Sequence, residues 1–172
     1  PEYSSAASDV YKRQVFGLAA ICALVHDVLI TIGIMALTDA LFGDVFSLKI
    51  NLPEVAAFLT IIGYSVNDTI VVFDRIRENL RAGKRKIEFE DLVNASINQT
   101  LARTIWTSGT TLVVVLSLLV FGGEPIKGFT FAFAIGLVAG TYSSVFVASP
   151  VLVYLRGRAL ERAERVKAEA AA

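Results

Sequence analysis

Four apolar stretches, Val15–Leu37, Leu52–Phe73, Leu101–Phe121 and Phe129–Leu155, occupy more than half of the 172 residues. Each is long enough, at about 1.5 Å per residue, to cross a hydrocarbon core about 30 Å thick as a helix. Lipid offers no partners for backbone N–H and C=O groups, so such stretches satisfy their own hydrogen bonds as helices. The chain is therefore predicted to be all-α, a polytopic membrane bundle of four transmembrane helices. Its 55% hydrophobic content and mean hydropathy of +0.62 set it apart from a soluble globular domain.

Net charge is zero, with 16 Lys and Arg against 16 Asp and Glu, but the cations are unevenly placed. Seven lie between Arg75 and Arg103, five between Arg156 and Lys167, and Lys12 and Arg13 precede the first span; Lys49 and Lys127 fall on the other side. By the positive-inside rule, both ends and the central loop are expected in the cytoplasm, with two short outer loops. The basic turn Lys84-Arg85-Lys86 then fixes topology and can meet anionic lipid. The single Cys22 lies within the first span and gives no disulfide framework. Residues 1–14 are polar and lack the apolar core of a secretory signal; they are read as a mobile tail or a stretch foreign to the protein.

Between the spans, Phe89, Val93, Ile97 and Leu101 recur every four residues among polar neighbours. That spacing predicts an amphipathic helix on the cytoplasmic interface leading into the third span. Gly122-Gly123-Glu124-Pro125 marks the second outer turn, and Pro150 is expected to bend the end of the last span. Residues 156–172 alternate Arg, Glu and Ala and read as a solvated, charged helical tail.

The acids inside the spans carry the functional signal. Asp68 lies five residues from the cytoplasmic end of the second span, about 7–8 Å deep. A charge within a spanning helix costs at least about 2.5 kcal/mol, so by default it marks a functional site. Thr60, Tyr64, Asn67, Asp68, Val71 and Arg75 recur at three-to-four spacing and are expected to face the bundle interior. Thr100, Arg103, Thr104, Thr107, Ser108 and Thr111 form a second polar seam on the third span. The antiparallel second and third spans make an Asp68–Arg103 pair sterically reasonable. Removal from water favours the neutral carboxyl and a nearby guanidinium favours the carboxylate. An acid poised between those conditions can take up and release a proton as helices move. Asp27 lies near the midplane of the first span, with Thr31 one turn on and His26 on an adjacent face. His26 has no Cys or His companions, so it reads as a packing residue, and no metal or cofactor is expected. Gly128, Ala132, Gly136, Gly140, Ser144 and Ala148 form a ridge of small residues four apart, which lets another helix approach closely.

Several longer motifs then carry a family resemblance: His26-Asp-Val-Leu-Ile30, Gly63-Tyr-Ser-Val-Asn-Asp-Thr69, Val72-Phe-Asp-Arg-Ile-Arg-Glu-Asn79, Ser96-Ile-Asn-Gln-Thr100 and Gly140-Thr-Tyr-Ser-Ser144. From Val15 to Leu155 the chain resembles the SecF branch of the SecD/SecF family, in the resistance-nodulation-division superfamily. The resemblance implies an accessory subunit of the bacterial Sec preprotein translocase, placed in the cytoplasmic membrane and driven by the proton-motive force. It implies SecD, the SecYEG channel, YajC, preproteins and membrane lipids as partners, and no nucleic acid. The family's important acid matches Asp68 and its intramembrane arginine matches Arg103; Asp27, Tyr64, Asn67 and Thr107 are supporting polar residues. Gly136, Gly140 and Ser144 belong to the helix-packing ridge. The chain corresponds to the last four of six family spans and is expected to be a fragment, without the first span and the periplasmic domain. Such a protein is a transport subunit and not an enzyme. The alternative is a passive assembly subunit whose buried charges only fix helix packing. An intramembrane aspartyl protease would need Asp27 and Asp68 at one depth, sharing a proton, and a small-molecule pump of the same superfamily is disfavoured by the motifs above.

Overall fold

The computed structural model describes residues 2–43, 51–82 and 88–171; the expectations for Lys49 and Lys84–Lys86 lie outside these residues. The described residues form five helices: α1 (Glu2–Phe42), α2 (Leu52–Arg81), α3 (Phe89–Phe121), α4 (Glu124–Phe146) and α5 (Ala148–Ala171). Four helical stretches are long and apolar enough to cross a membrane: Gln14–Phe42, Leu52–Arg81, Phe89–Phe121 and the α4–α5 run Glu124–Arg162. The chain is an all-α, multi-pass helical bundle. Helix α1 takes in residues 2–14, and α5 continues through the charged stretch to Ala171.

Local chemistry sets where these helices begin and end. Pro53 occupies the first turn of α2, where its missing N–H costs little. The backbone N–H of Asn51 donates to the buried Glu54 carboxylate at 2.9 Å, closing that turn. Between α3 and α4 the chain reverses at Gly123, whose φ of 76° is open to glycine at little cost. Pro150 has no N–H to return to Phe146, and its ring crowds the Phe146 carbonyl. The helix accordingly breaks at Val147 (φ −115°, ψ −57°) and resumes as α5. The segment expected as an interfacial amphipathic helix forms the opening turns of α3, continuous with the third span. Its Leu92, Val93 and Ile97 are buried against Phe16, Phe73, Ile76 and Leu152.

Helix α4 packs against α1, α2 and α3. The small-residue ridge is its contact face: Ala132, Gly136, Gly140, Ser144 and, past the break, Ala148 are buried. A Cβ at Gly136 would land on Ile61, and one at Gly140 would meet Ser65 at 3.1 Å. Apolar packing falls in two clusters. One gathers Phe16, Ala23, Val72, Ile76, Ile97 and Leu152 toward the end at which the chain enters α1. The other joins Met35, Ala57 and Ala132 with Phe58, Phe129 and Phe133 toward the opposite end. Between them every packed helix contributes polar residues: Asp27 and Thr31, Ser65, Asp68 and Thr69, Thr104 and Ser108, Ser143 and Ser144 are all buried.

Candidate functional site: two buried acids in a hydroxyl-lined layer

Helix α2 presents Ile61, Ser65, Asp68, Val72 and Ile76 to the interior, a line at the 3.6-residue period. Asp68 is 3% exposed, and one of its oxygens accepts a hydrogen bond from Ser108 of α3 at 3.1 Å. The Tyr64 hydroxyl donates to Thr111 at 3.4 Å, its ring meeting Phe133 edge-on at 6.3 Å. Nearer the α2 C-terminus, buried Asn79 donates to Ser96 at 2.8 Å and to Gln99 at 3.2 Å, and Arg75 donates to Gln99 at 2.6 Å. These contacts align α2 and α3 antiparallel in one register.

The polar stripe expected on α2 does not face inward as a unit. Asp68 is enclosed, Tyr64 and Arg75 are half-buried, and Thr60 and Asn67 are exposed on the chain. Thr60 lies one residue before Ile61, and Asn67 one before Asp68, so each is rotated about 100° from the interior line. Thr60 satisfies its hydroxyl on the Ala56 carbonyl at 2.8 Å, as threonines on helices commonly do. The seam on α3 splits in the same way. Thr100, Thr104 and Ser108 are buried, whereas Arg103 and Thr107 are exposed. Thr107 donates back to the Arg103 and Thr104 carbonyls at 3.0 and 3.1 Å.

The expected Asp68–Arg103 pair is absent among the described residues, whose ion pairs include His26–Asp27, Arg75–Glu78 and Lys127–Glu124. The arginine is on the wrong face of α3: Ser108, five residues on, is the residue that turns toward Asp68. Depth can be counted along a sequence, whereas rotation about the helix axis depends on neighbours.

The second acid is more enclosed still. Asp27 is 0% exposed; one oxygen accepts hydrogen bonds from Ser65 of α2 at 2.5 Å and Ser143 of α4 at 2.8 Å. Its other oxygen lies 3.1 Å from Nδ1 of His26. Thr31 donates to the Asp27 carbonyl at 2.8 Å. Asp27 and Asp68 share no hydrogen-bond partner, so they do not form the dyad a protease needs. Sequence reasoning misses Ser65 and Ser143 as partners of Asp27. Ser65 offers one usable signal, its place three residues before Asp68 on the same helix face.

Residues 9–158 match the family described as protein export membrane protein SecD/SecF, C-terminal. The chain is 58% identical over 147 residues to the protein translocase subunit SecF of Rhodothermus marinus, covering 86% of this chain and 47% of that protein. It is 57% identical over 148 residues to SecF of Desulfurispirillum indicum, covering 85% and 45%. The chain thus spans about half the length of these curated relatives. A crystal structure of SecDF from Thermus thermophilus, described as a translocon-associated membrane protein, superposes with a TM-score of 0.75 at 45% identity. That match covers 83% of this chain and 19% of SecDF. SecDF in a super-membrane-facing form gives 0.73 at 44% identity, covering 89% and 19%. In sequence and in helix arrangement alike, the chain belongs to the SecD/SecF family of protein export membrane proteins, as its C-terminal membrane part.

Proposed function

We propose that the chain is the spanning part of a SecF-like subunit that assists preprotein export across the bacterial inner membrane by using the proton-motive force. Asp68 is the residue through which protons are coupled. The observation that carries this reading is an acid 3% exposed in an apolar span, bonded to the neutral hydroxyl of Ser108 and outside ion-pair distance of Arg103. A carboxyl whose partner can change from a neutral hydroxyl to a guanidinium can bind a proton in one arrangement and give it up in the other. Movement of α3 that brings the Arg103 guanidinium to Asp68 would release the proton toward the other side. Each charge crossing the membrane carries about 2.3 kcal/mol per 100 mV, enough to bias a helix rearrangement. Asn67, Arg103 and Thr107 are exposed on this chain, which suits a further spanning subunit, SecD, lying over them. SecYEG and YajC are proposed as outer partners, preproteins as cargo, and both termini as cytoplasmic.

The interhelical bonds of Asp27, Asp68 and Asn79 also suit a passive assembly subunit. One substitution separates the two readings. Asp68→Asn keeps the shape and an acceptor for Ser108. It is to be placed in the full-length protein with its SecD partner in inverted vesicles. Normal assembly with loss of proton-driven stimulation of preprotein translocation is the expected result. Survival of that stimulation would leave Asp68 a packing residue.

A further inference from the structure

Asp27 is enclosed by three helices, and the coupling role given to Asp68 leaves it without a task. It is tied to α2 by Ser65, to α4 by Ser143 and to its own helix by His26. His26 is the one cation-forming group within ion-pair distance of Asp27 among the described residues. Other titratable groups nearby have other surroundings. Tyr64 of α2 donates to Thr111, and Asp68, one turn from Ser65, accepts from Ser108. Cys22 of α1 and Tyr142 of α4 are exposed. Helix α5 packs on α1 through Ala148 and Leu152, and among the described residues the side-chain partners of Asp27 are His26, Ser65 and Ser143.

An isolated buried anion is costly by several kcal/mol, so the charge on Asp27 depends on its neighbour. The empty pair is a carboxylate accepting from a neutral ring; the loaded pair carries one more proton, as imidazolium and carboxylate or as neutral ring and acid, two forms that differ only by a proton moved across the 3.1 Å contact. The His26 side chain is 35% exposed while that of Asp27 is 1% exposed, so the ring is the side of the pair that reaches the outer face of this four-span bundle.

We propose that His26 and Asp27 form a proton-binding dyad, with His26 the port through which a proton reaches and leaves Asp27, and that its occupancy sets how firmly α1, α2 and α4 are joined. The step balances without a further reactant. A hydronium ion gives a proton to Nε2 and leaves as water, the proton on Nδ1 passes to Asp27 Oδ1, and the ring is left neutral with its hydrogen on Nε2. Hydroxyl bonds to an ionised acceptor are roughly twice as strong as those to a neutral one. Loading the dyad therefore weakens the Ser65 and Ser143 bonds together, which frees the α4 ridge to shift along α2. The dyad is read from its own contacts and holds whether or not Asp68 couples protons.

The test uses the full-length protein with its SecD partner in liposomes and dicyclohexylcarbodiimide, which modifies protonated carboxyls sheltered from water. Peptide mass spectrometry follows labelling of Asp27 from about pH 5 to about pH 8, with the Asp68 peptide read in the same sample. Labelling of Asp27 is expected to depend on pH, and His26→Gln is expected to shift the labelled fraction across that range. The Asp68 peptide should not follow that substitution. Acylation of the half-exposed ring with diethylpyrocarbonate repeats the test without any substitution. Asp27 labelling that ignores pH, or that is the same with the imidazole removed or acylated, overturns the dyad.

Discussion

Gly136→Ala probes how closely α2 and α4 approach. The three atoms nearest to a Cβ at this position all belong to Ile61 and all lie inside 3 Å. Ile61 is 1% exposed and β-branched, so it can neither swing away nor leave its rotamer cheaply. The helices must separate instead, an overpacking cost of about 1–3 kcal/mol. Helix propensity returns up to about 1 kcal/mol, because alanine replaces glycine in mid-helix. A net loss of about 0–2 kcal/mol is expected when the full propensity gain is realised. Gly33→Ala is the control, since nothing lies within 4 Å of its added Cβ; it should be neutral or gain up to about 1 kcal/mol. Ile61→Ala alone should cost about 2–4 kcal/mol by leaving a cavity. The double variant should be at least about 1 kcal/mol more stable than the sum of the singles, because the new methyl fills part of that space. Unfolding of the full-length protein by SDS in mixed micelles, followed by near-ultraviolet circular dichroism, gives all four values. If Gly136→Ala behaves like Gly33→Ala and the cycle is additive, the ridge is not the close contact described above.

Further expectations follow from the turn and the break. Gly123→Ala places a side chain at φ 76° and should cost about 1 kcal/mol, with Gly123→Asn costing less, measured by the same unfolding. Pro150→Ala restores an N–H able to reach the Phe146 carbonyl, so α4 and α5 should straighten toward one helix. The distance between spin labels at the exposed positions 138 and 160 should then lengthen. An unchanged distance would mean that the buried Ala148 and Leu152 hold the break by packing. Ser108→Ala removes the hydroxyl bonded to Asp68 and should lower stability by about 1 kcal/mol while leaving α2–α3 pairing intact through Asn79, as judged by cross-linking.

Much of this arrangement is legible in the amino-acid sequence, for reasons that particular residues make clear. Span number and approximate bounds follow from runs of apolar residues, since backbone in lipid has few alternatives to a helix. The burial of Asp68 and Asp27 follows from the cost of a charge in hydrocarbon, which drives each toward the interior. The hydroxyl partners are harder to read. Ser65, Ser108 and Ser143 differ little in hydropathy from Thr60, Thr107 and Thr110. The latter three bond to carbonyls of their own helix and need no neighbour. Nothing in a single sequence separates a hydroxyl turned inward from one turned back. The outward orientation of Arg103 in this arrangement is hidden for a related reason, because a residue's depth constrains its side chain less than its rotation about the helix axis does. The break before α5 is partly visible in Pro150, although it falls three residues earlier, where the proline's missing bond is felt.

The separation in sequence between Asp27 and its two serine partners has a consequence for how the protein is made. Ser65 follows Asp27 by 38 residues, but Ser143 follows by 116. At about 5–20 residues per second of synthesis, the second partner arrives roughly 6–23 s after the acid itself. Throughout that interval α1 must reside in, or wait beside, the membrane with its deepest carboxyl only half provided for. Asp68 waits 40 residues for Ser108, roughly 2–8 s. Helix α1 is thus made before α2, α3 and α4 yet completed only with α4, and its final placement is decided by a residue three helices downstream.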